Sequence, residues 1–445
     1  MRERRDYVVP FFNNKYRFDK PPLIYWMQIA SYRFLGENDF AARLPSVIAA
    51  AGIAILLFAW GRRLGNEQIG WWAAIIFTLC LQTFVHAKAA VADMWLVFFV
   101  TAAYWAAYEL IADLLGSTTT INESHRKYWR LTFYVALGLA FLAKGPLGWM
   151  PLVTVVSMKL ILRGKPFNRR FWFLSGLLLT IAIVLSWGFP ALLRTDGEFL
   201  RIGIGRHVVE RSFGALEGHG GQSWHSYLLT LPFYFVTVFI SFFPWSIKLP
   251  ALTKHLRRHR DGTDKYLILG VASIFILMTL VKTKLPHYTL AAFPLLALLL
   301  ARHFPILPGS PRFAVRTAVV AAIVSITTAF VGFSLLAPSF PVVQLFKKSE
   351  KDLRPEMHFG NVDYAEPSLV WYFRGRVHGF SWDRKPEQVK EFMGQWGPKF
   401  IILPSKLAKS VYPEIPPGWK SYTAEGINFA KGKRADLTMI LKPTE

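Results

Sequence analysis

The chain has 445 residues, of which 53% are hydrophobic and only 18% are charged, with a mean hydropathy of +0.30. Soluble domains carry about a quarter charged residues, whereas the apolar residues here form long runs, so the composition indicates a multi-pass membrane protein. The net charge of +24 then reflects basic loops and anionic headgroups rather than a nucleic-acid partner. The single cysteine, Cys80, excludes an internal disulfide and a cysteine-based metal site.

The first 40 residues are polar and aromatic and contain the stretch FDKPPLIYW, in which Asp19 and Lys20 stand before two prolines. We predict an outer loop with juxtamembrane helices over 1–40, followed by a transmembrane domain of about ten helices over 41–345. Several apolar segments are shorter than the ~20 residues that a single membrane-spanning helix needs. The ten segments are 41–60, 69–85, 95–112, 131–143, 146–162, 171–193, 227–250, 266–281, 288–301 and 313–338.

The loops between these segments alternate in charge. One alternate set is dense in Arg and Lys and is predicted to be cytoplasmic; it comprises 61–68, 124–130, 163–170, 254–265 and 301–316. The other set is less basic, apart from the long 194–226 loop, and richer in His, Gly and Pro. An even number of spans then places both termini, and the FDKPP stretch, outside the cytoplasm.

The composition changes after about residue 345, where a polar stretch interrupts the membrane pattern. Short apolar strands, KFIILPS (399–405) and LTMILKP (437–443), alternate with a helical stretch, PEQVKEFMGQW (386–396). We predict a small extracytoplasmic α/β domain over 346–445. The fold class is therefore mostly α, a polytopic helical membrane protein with a small α/β domain.

Ionisable residues recur at the outer ends of the predicted spans. Singly, a Lys or Arg at such a position usually extends toward the membrane surface or sets topology, but these residues lie on the side that the charge pattern leaves poor in cations. Ionisable groups near membrane depth are costly and usually face a cavity or one another. We therefore expect one shared cavity for Asp19, Lys20, Lys88, Asp93, Lys144, Arg206, His207, Glu210, Arg211, Lys282, Lys284, His287 and Tyr288.

Several cations with one or two carboxylates at the edge of a bilayer suit a lipid phosphate that carries a sugar. Cations neutralise the leaving phosphate, and a carboxylate serves as general base or stabilises an oxocarbenium-like centre. Two alternatives stay open. A transporter for a polyprenyl-linked sugar would need half-sites near the membrane midplane, and a non-catalytic homologue would bind the lipid without turnover.

The segment 7–46, YVVPFFNNKYRFDKPPLIYWMQIASYRFLGENDFAARLPS, resembles the bacterial relatives of the protein O-mannosyltransferases, a group that includes the lipid A aminoarabinose transferases. These are GT-C-type glycosyltransferases that use lipid-phosphate sugars. Further similar stretches follow in the family's order and extend the resemblance to residue 301: ADMWLVFF (92–99), FLAKGPLGWMP (141–151), RHVVERSFGALEGHGG (206–221), FFPWS (242–246) and KTKLPHYTLAAFPLLALLLA (282–301).

The resemblance implies a membrane glycosyltransferase that moves a sugar from a polyprenyl-phosphate donor to a lipid or protein acceptor outside the cytoplasm, in the bacterial inner membrane. Asp19 and Asp93 match the family's site acids and are the catalytic candidates. A divalent metal ion shared by Asp19 and His207 is a further expectation. The residues expected to contact the donor phosphate are Lys20, Lys144, Arg206, Lys284, His287 and Tyr288.

The sequence departs from the family at its start. The family begins with a transmembrane helix and an outer acidic motif, generally Asp-Glu, whose aspartate is the expected catalytic base. Here Met1 stands a few residues before DYVVP, and Glu3 and Asp6 do not match that motif. We therefore expect a truncated start and little or no transfer activity from the chain as written.

Overall fold

The computed structural model describes residues 1–2, 4–13, 15–117, 121–163, 165–210, 224–309, 311–364, 366–428 and 433–443. These residues form two compact units. The first, helical, unit comprises Met1–Pro10 and Tyr16–Ser325, and the second comprises Phe11–Lys15 and Ile326–Glu445. The predicted fold class, mostly helical with a small C-terminal sheet domain, is confirmed.

The α-helices of the first unit follow the predicted apolar segments closely. They are Leu23–Leu35, Asp39–Leu64, Glu67–Thr78, Leu81–Ala87, Asp93–Ile111, Glu123–Lys144, Met150–Ile161, Phe167–Phe171, Phe173–Arg194, Trp224–Thr230, Phe233–Ser241, Leu249–Arg258, Gly262–Leu280, Phe293–His303 and Pro311–Thr327, the last of which crosses into the second unit. Asparagine caps begin three of them, because the side chains of Asn38, Asn66 and Asn122 accept hydrogen bonds from first-turn amides.

Six described helices are long and apolar enough to cross a membrane, or up to eight if each of two bent helix pairs counts as one span. Each of the ten predicted segments coincides with one helix or with several consecutive helical elements. Two of them contain helices of only 12 and 11 residues, Met150–Ile161 and Phe293–His303, which are short against the ~20 residues of an isolated span. The count of ten stays a prediction.

The predicted cytoplasmic loops meet at one end of the helices. Arg63 pairs with Glu109 at 3.1 Å, and Arg170 pairs with Asp113 at 2.7 Å. Both acids lie at the far end of the segment that begins at Asp93, about 24 Å or more along the helix axis from that residue. The basic loop ends and Asp93 therefore occupy opposite ends of the first unit.

The second unit contains a five-stranded sheet in the order Ser381–Asp383, His358–Asn361, Lys399–Pro404, Lys433–Lys442 and Lys420–Asn428. The first three strands in this order are parallel to one another. Lys433–Lys442 pairs antiparallel with both of its neighbours, Lys399–Pro404 and Lys420–Asn428. Side chains alternate between two apolar clusters, with Phe400 and Ile402 in one and Ile401 and Leu403 in the other. Both faces of the sheet are therefore buried, as expected for parallel strands.

Helices Pro341–Ser349, Pro367–Phe373, Val389–Gly394 and Ser405–Val411 cover the sheet. The predicted strands at 399–405 and 437–443 are confirmed, and the predicted helix at 386–396 appears as a 3₁₀ turn, Pro386–Gln388, followed by Val389–Gly394. Within this unit, the Asn13 side chain exchanges two hydrogen bonds with the backbone of Ser381, at 2.5 and 2.8 Å.

Candidate active site

A turn between two helices places Lys144 at the centre of the candidate site. The chain reverses after helix Glu123–Lys144, because Gly145 has φ +71° and a 3₁₀ helix, Gly145–Trp149, follows. Gly148 lies so close to Ala140 that a Cβ atom would approach its carbonyl carbon to 2.5 Å. A residue eight positions away in a straight helix would be about 12 Å distant, so the AKGPLG sequence folds back sharply and places the Lys144 side chain at the turn.

Lys144 pairs with Asp93, the first residue of helix Asp93–Ile111. Its Nζ lies 2.5 Å from Asp93 Oδ1, and the two side chains are only 13% and 7% exposed. The same ammonium lies 5.3 Å from the centre of the Tyr288 ring. Breaking a buried pair by removing one partner leaves an uncompensated charge and is strongly destabilising, so each charge depends on the other.

Lys20 adds a second cation beside this pair. Among the residues that the structure describes, its ammonium donates no hydrogen bond and joins no ion pair, although Lys144 and Asp93 are close enough to influence it. Burial, and then the Lys144 charge, lower the pKa of Lys20. The neighbouring Asp19 carboxylate is held by Arg17, with Nε–Oδ1 at 2.7 Å and Nη2–Oδ2 at 3.1 Å.

Two histidines flank Asp93. His287 Nε2 lies 3.9 Å from Asp93 Oδ1, and the His86 and His287 rings are 5.0 Å apart between centres. Burial, followed by the Lys144 charge, lowers the pKa of His287 to about 3, so this imidazole is neutral at pH 7. The ligand atoms of His86, Asp93 and His287 all lie within 4.8 Å of one another, a spacing that could hold a metal ion.

One predicted site residue, Lys284, is not brought to this cluster. Lys284 is buried and donates to the carbonyl oxygens of Met278 at 3.2 Å, Val281 at 2.6 Å and Thr279, at the end of helix Gly262–Leu280. Burial lowers its pKa to about 8. In this structure Lys284 therefore caps a helix, and its contact with the donor phosphate stays a prediction.

The side chains of Arg206 and His207 lie outside the described part of the chain, which gives the backbone of Phe199–Glu210 as a π-helix. The predicted metal pair of Asp19 and His207 is thus untested. The sequence reasoning missed two members of the site, Arg17 and His86. Arg17 lies two residues from Asp19 in the sequence, so its place near the site could have been predicted. His86 follows an apolar run, and only its neighbours in space identify it as a site residue.

The fold and this cluster define a class of protein: a multi-pass membrane protein that gathers buried ammonium, carboxylate and imidazole groups at one end of its helices. Residues 19–188 match the family model described as dolichyl-phosphate-mannose-protein mannosyltransferase. A protein of Aquifex aeolicus (strain VF5) is 28% identical over 66% of this chain and 62% of its own length. An undecaprenyl phosphate-alpha-4-amino-4-deoxy-L-arabinose arabinosyl transferase of Shewanella sediminis (strain HAW-EB3) is 26% identical over 67% of this chain and 52% of its own.

The fold also matches the crystal structure of ArnT from Cupriavidus metallidurans bound to undecaprenyl phosphate, with a TM-score of 0.73 and 16% identity over 98% of this chain and 91% of that one. The resemblance predicted from the sequence is confirmed: residues 19–188 are similar to the protein mannosyltransferase family, and the chain is similar to bacterial aminoarabinose transferases and to ArnT in fold. It spans about half to two thirds of the length of the Aquifex and Shewanella proteins. Its helices and its bacterial relatives indicate a multi-pass protein of the bacterial inner membrane.

Proposed function

We propose that the chain is a membrane glycosyltransferase that takes a pentose or hexose from a polyprenyl phosphate and passes it to a lipid or protein acceptor outside the cytoplasm. The observation that carries the proposal is the charge balance of the site. Two ammonium groups, Lys20 and Lys144, surround one carboxylate, Asp93, while His287 is neutral and Arg17 cancels Asp19. Among the site residues whose side chains the structure describes, one buried positive charge is left over, and a bound anion would neutralise it.

A phosphate ester at headgroup depth supplies that anion. Lys20 is already free of hydrogen bonds within the described residues, so it can donate to the phosphate without losing a partner. Lys144 can turn from Asp93 to a second phosphate oxygen, because an ammonium on a flexible stem donates in several directions. Charge-assisted bonds from both lysines would stabilise the phosphate as it leaves the sugar.

In this arrangement neither Asp19 nor Asp93 is available as a general base. Both oxygens of Asp19 are bound by Arg17, and Asp93 is bound by Lys144. A carboxylate that accepts strong hydrogen bonds is a poor proton acceptor, so neither acid is ready as a base until its cation moves. Movement of Lys144 to the donor phosphate would release Asp93. This carboxylate could then act as a base only when the donor is bound.

The names of the relatives support this choice of donor, since several are undecaprenyl-phosphate aminoarabinose transferases. The first test is binding of undecaprenyl phosphate to the purified chain, measured by native mass spectrometry in detergent. We expect binding, and we expect Lys20→Ala to weaken it about tenfold or more, as loss of one charge-assisted bond implies. Lys265→Ala, an exposed lysine in a predicted cytoplasmic loop, is the matched control and should bind like the unchanged chain.

The outcomes separate the candidate functions. Binding that depends on Lys20, together with transfer of a labelled sugar from a polyprenyl phosphate, supports the enzyme. Binding that depends on Lys20 without transfer supports the non-catalytic homologue. Absence of binding, or equal affinities for Lys20→Ala and Lys265→Ala, would overturn the proposal.

A further inference from the structure

We propose that His86, Asp93 and His287 form a binding site for a divalent transition-metal ion, and that the Lys144 ammonium occupies the place of this ion when no metal is bound. The three residues come from different elements: the helix Leu81–Ala87, the start of helix Asp93–Ile111 and the 3₁₀ turn Pro286–Ala292. The site differs from the metal pair of Asp19 and His207 that the sequence suggests.

The set of donor atoms suits a metal. Two imidazole nitrogens and one carboxylate oxygen are ligands that Zn²⁺, Co²⁺ and Mn²⁺ accept, and three protein ligands leave positions open for another oxygen. Ligand atoms around Zn²⁺ at about 2.1 Å lie roughly 3.4 Å apart in tetrahedral geometry. The atoms here are within 4.8 Å of one another, so small rotations of the rings bring them into range.

The surroundings of His86 orient it as a ligand. Its Nδ1 lies 3.1 Å from the backbone oxygen of Gln82. Both Gln82 contacts, one with a carbonyl acceptor and one with an amide donor, fall on Nδ1, so Nε2 is the nitrogen that a metal would take. The Gln82 side-chain amide lies 2.9 Å from the same nitrogen, and Ser241 contacts that amide at 3.2 Å. A second layer of polar groups therefore supports the ring.

Lys144 is a direct competitor for the site. Its Nζ sits 2.5 Å from Asp93 Oδ1, the oxygen that also lies 3.9 Å from His287 Nε2. Because like charges at this distance repel strongly in a partly buried setting, a metal ion and the ammonium cannot share the carboxylate. The geometry thus implies an exchange, in which the ion replaces Lys144 on Asp93 and Lys144 turns away.

Metal binding can be tested without any donor lipid. The probe is Co²⁺, titrated into the metal-free purified chain in detergent and followed by its visible absorption, with Zn²⁺ as the competitor. We expect one Co²⁺ per chain that Zn²⁺ displaces. His86→Ala and His287→Ala should abolish the absorption band, while His259→Ala, an exposed histidine in a predicted cytoplasmic loop, should retain it. No band with the unchanged chain, or equal bands in all three variants, overturns the site.

A variant that binds Co²⁺ more tightly is a further test, because a gain of Co²⁺ affinity cannot result from misfolding. Lys144→Met removes the competing charge and keeps the length of the side chain, so we expect Co²⁺ to bind at least about tenfold more tightly, since one nearby unit charge is worth that much even at high effective dielectric. An unchanged or weaker affinity in a folded Lys144→Met protein would overturn the exchange.

The link between the metal and the donor rests on the proposed function. A phosphate that draws Lys144 away should tighten Co²⁺ binding, so adding undecaprenyl phosphate should lower the Co²⁺ dissociation constant by a similar factor. Co²⁺ binding that lipid leaves unchanged overturns this coupling while the site itself stands. Lipid binding without any Co²⁺ site overturns the metal inference and leaves the proposed function intact.

Discussion

Asp93 is the residue on which the electrostatics of the site depend, because it is the carboxylate between two buried ammonium groups. Asp93→Asn would leave Lys144 and Lys20 facing each other without a counter-charge. We expect a loss of about 3–5 kcal/mol in the free energy of unfolding, seen as a lower midpoint of thermal unfolding in detergent. Glu198→Gln, which removes one partner of an exposed pair with Arg201 at 3.7 Å, should change the midpoint little.

The double variant Asp93→Asn with Lys144→Met supplies the decisive comparison. If the loss comes from unpaired charge, removing the second ammonium should recover part of it, because a neutral pair has no buried charge to compensate. Losses that simply add, with no recovery, would contradict the interpretation of Lys144 and Asp93 as a mutually dependent pair.

Asp352 shows how a residue pair in the second unit should respond to pH. Lys420 at 2.5 Å and the Tyr422 hydroxyl both donate to it, and these bonds lower the pKa of Asp352 below its ordinary value. The stabilisation is therefore complete above the unfolded carboxyl pKa of about 3.9 and is lost as the pH falls through the lower folded value. Asp352→Asn should cost about 1 kcal/mol at pH 7, since the pair is partly exposed.

The same substitution should have a shrinking effect as the pH falls from about 4 toward 2, because the unchanged carboxylate is then protonated as well. Thermal unfolding followed by tryptophan fluorescence at several pH values measures this. Asp363→Asn, an exposed residue with φ +54° that asparagine adopts readily, is the matched control. A cost for Asp352→Asn that is equal at pH 7 and at about pH 2.5 would argue against the ion pair.

At the scale of elements, the reversal after helix Glu123–Lys144 positions the cation of the site. Gly148→Ala would place a methyl group against the backbone of Ala140, and such overpacking costs about 1–3 kcal/mol. The displaced turn should also weaken binding of undecaprenyl phosphate, because Lys144 would move with it. Gly188→Ala meets nothing within 4 Å in helix Phe173–Arg194 and should be neutral or slightly stabilising.

Stability and lipid affinity measured on both glycine variants check this prediction. If Gly148→Ala behaved like Gly188→Ala in both measurements, the close packing of the turn would not be what holds Lys144 in place.

The helical elements were predictable because long apolar runs and Asn caps are local signals. The strands were predictable from the sequence only in part. Lys399–Pro404 and the end of Lys433–Lys442 are continuous apolar runs, which mark buried strands, whereas His358–Asn361 and Ser381–Asp383 are short and mixed in character. Their pairing is set by neighbours far along the chain, and no local pattern specifies it.

The site was predictable to a similar degree. Asp93, Lys144, His287 and Tyr288 were expected to share a site, and the structure brings them together. The ion pair of Asp19 with Arg17 and the capping of a helix end by Lys284 could not be predicted, because both depend on the direction of a side chain and not on spacing along the sequence. His86 was missed for the same reason, since its value as a ligand lies in residues 7 and 201 positions away.

At the scale of the whole molecule, the charge pattern predicts that the second unit lies outside the cytoplasm. The chain suits a labelling test because its one cysteine, Cys80, is buried. In a Cys80→Ala background, Trp396→Cys introduces a thiol at a side chain that is 83% exposed. Arg260→Cys introduces one in a basic loop that the positive-inside rule assigns to the cytoplasm.

A membrane-impermeant maleimide applied to spheroplasts should label Trp396→Cys and should leave Arg260→Cys unlabelled until the membrane is permeabilised. The reason is that the positive-inside rule counts Lys and Arg in short loops, and the loops at 61–68, 163–170 and 254–265 carry them on one side. Labelling of Arg260→Cys alone before permeabilisation would show that the topology is the reverse of the predicted one. It would place Lys20, Lys144 and Asp93 on the cytoplasmic side, where a donor exposed outside could not reach them, and the proposed function would then fail with the orientation.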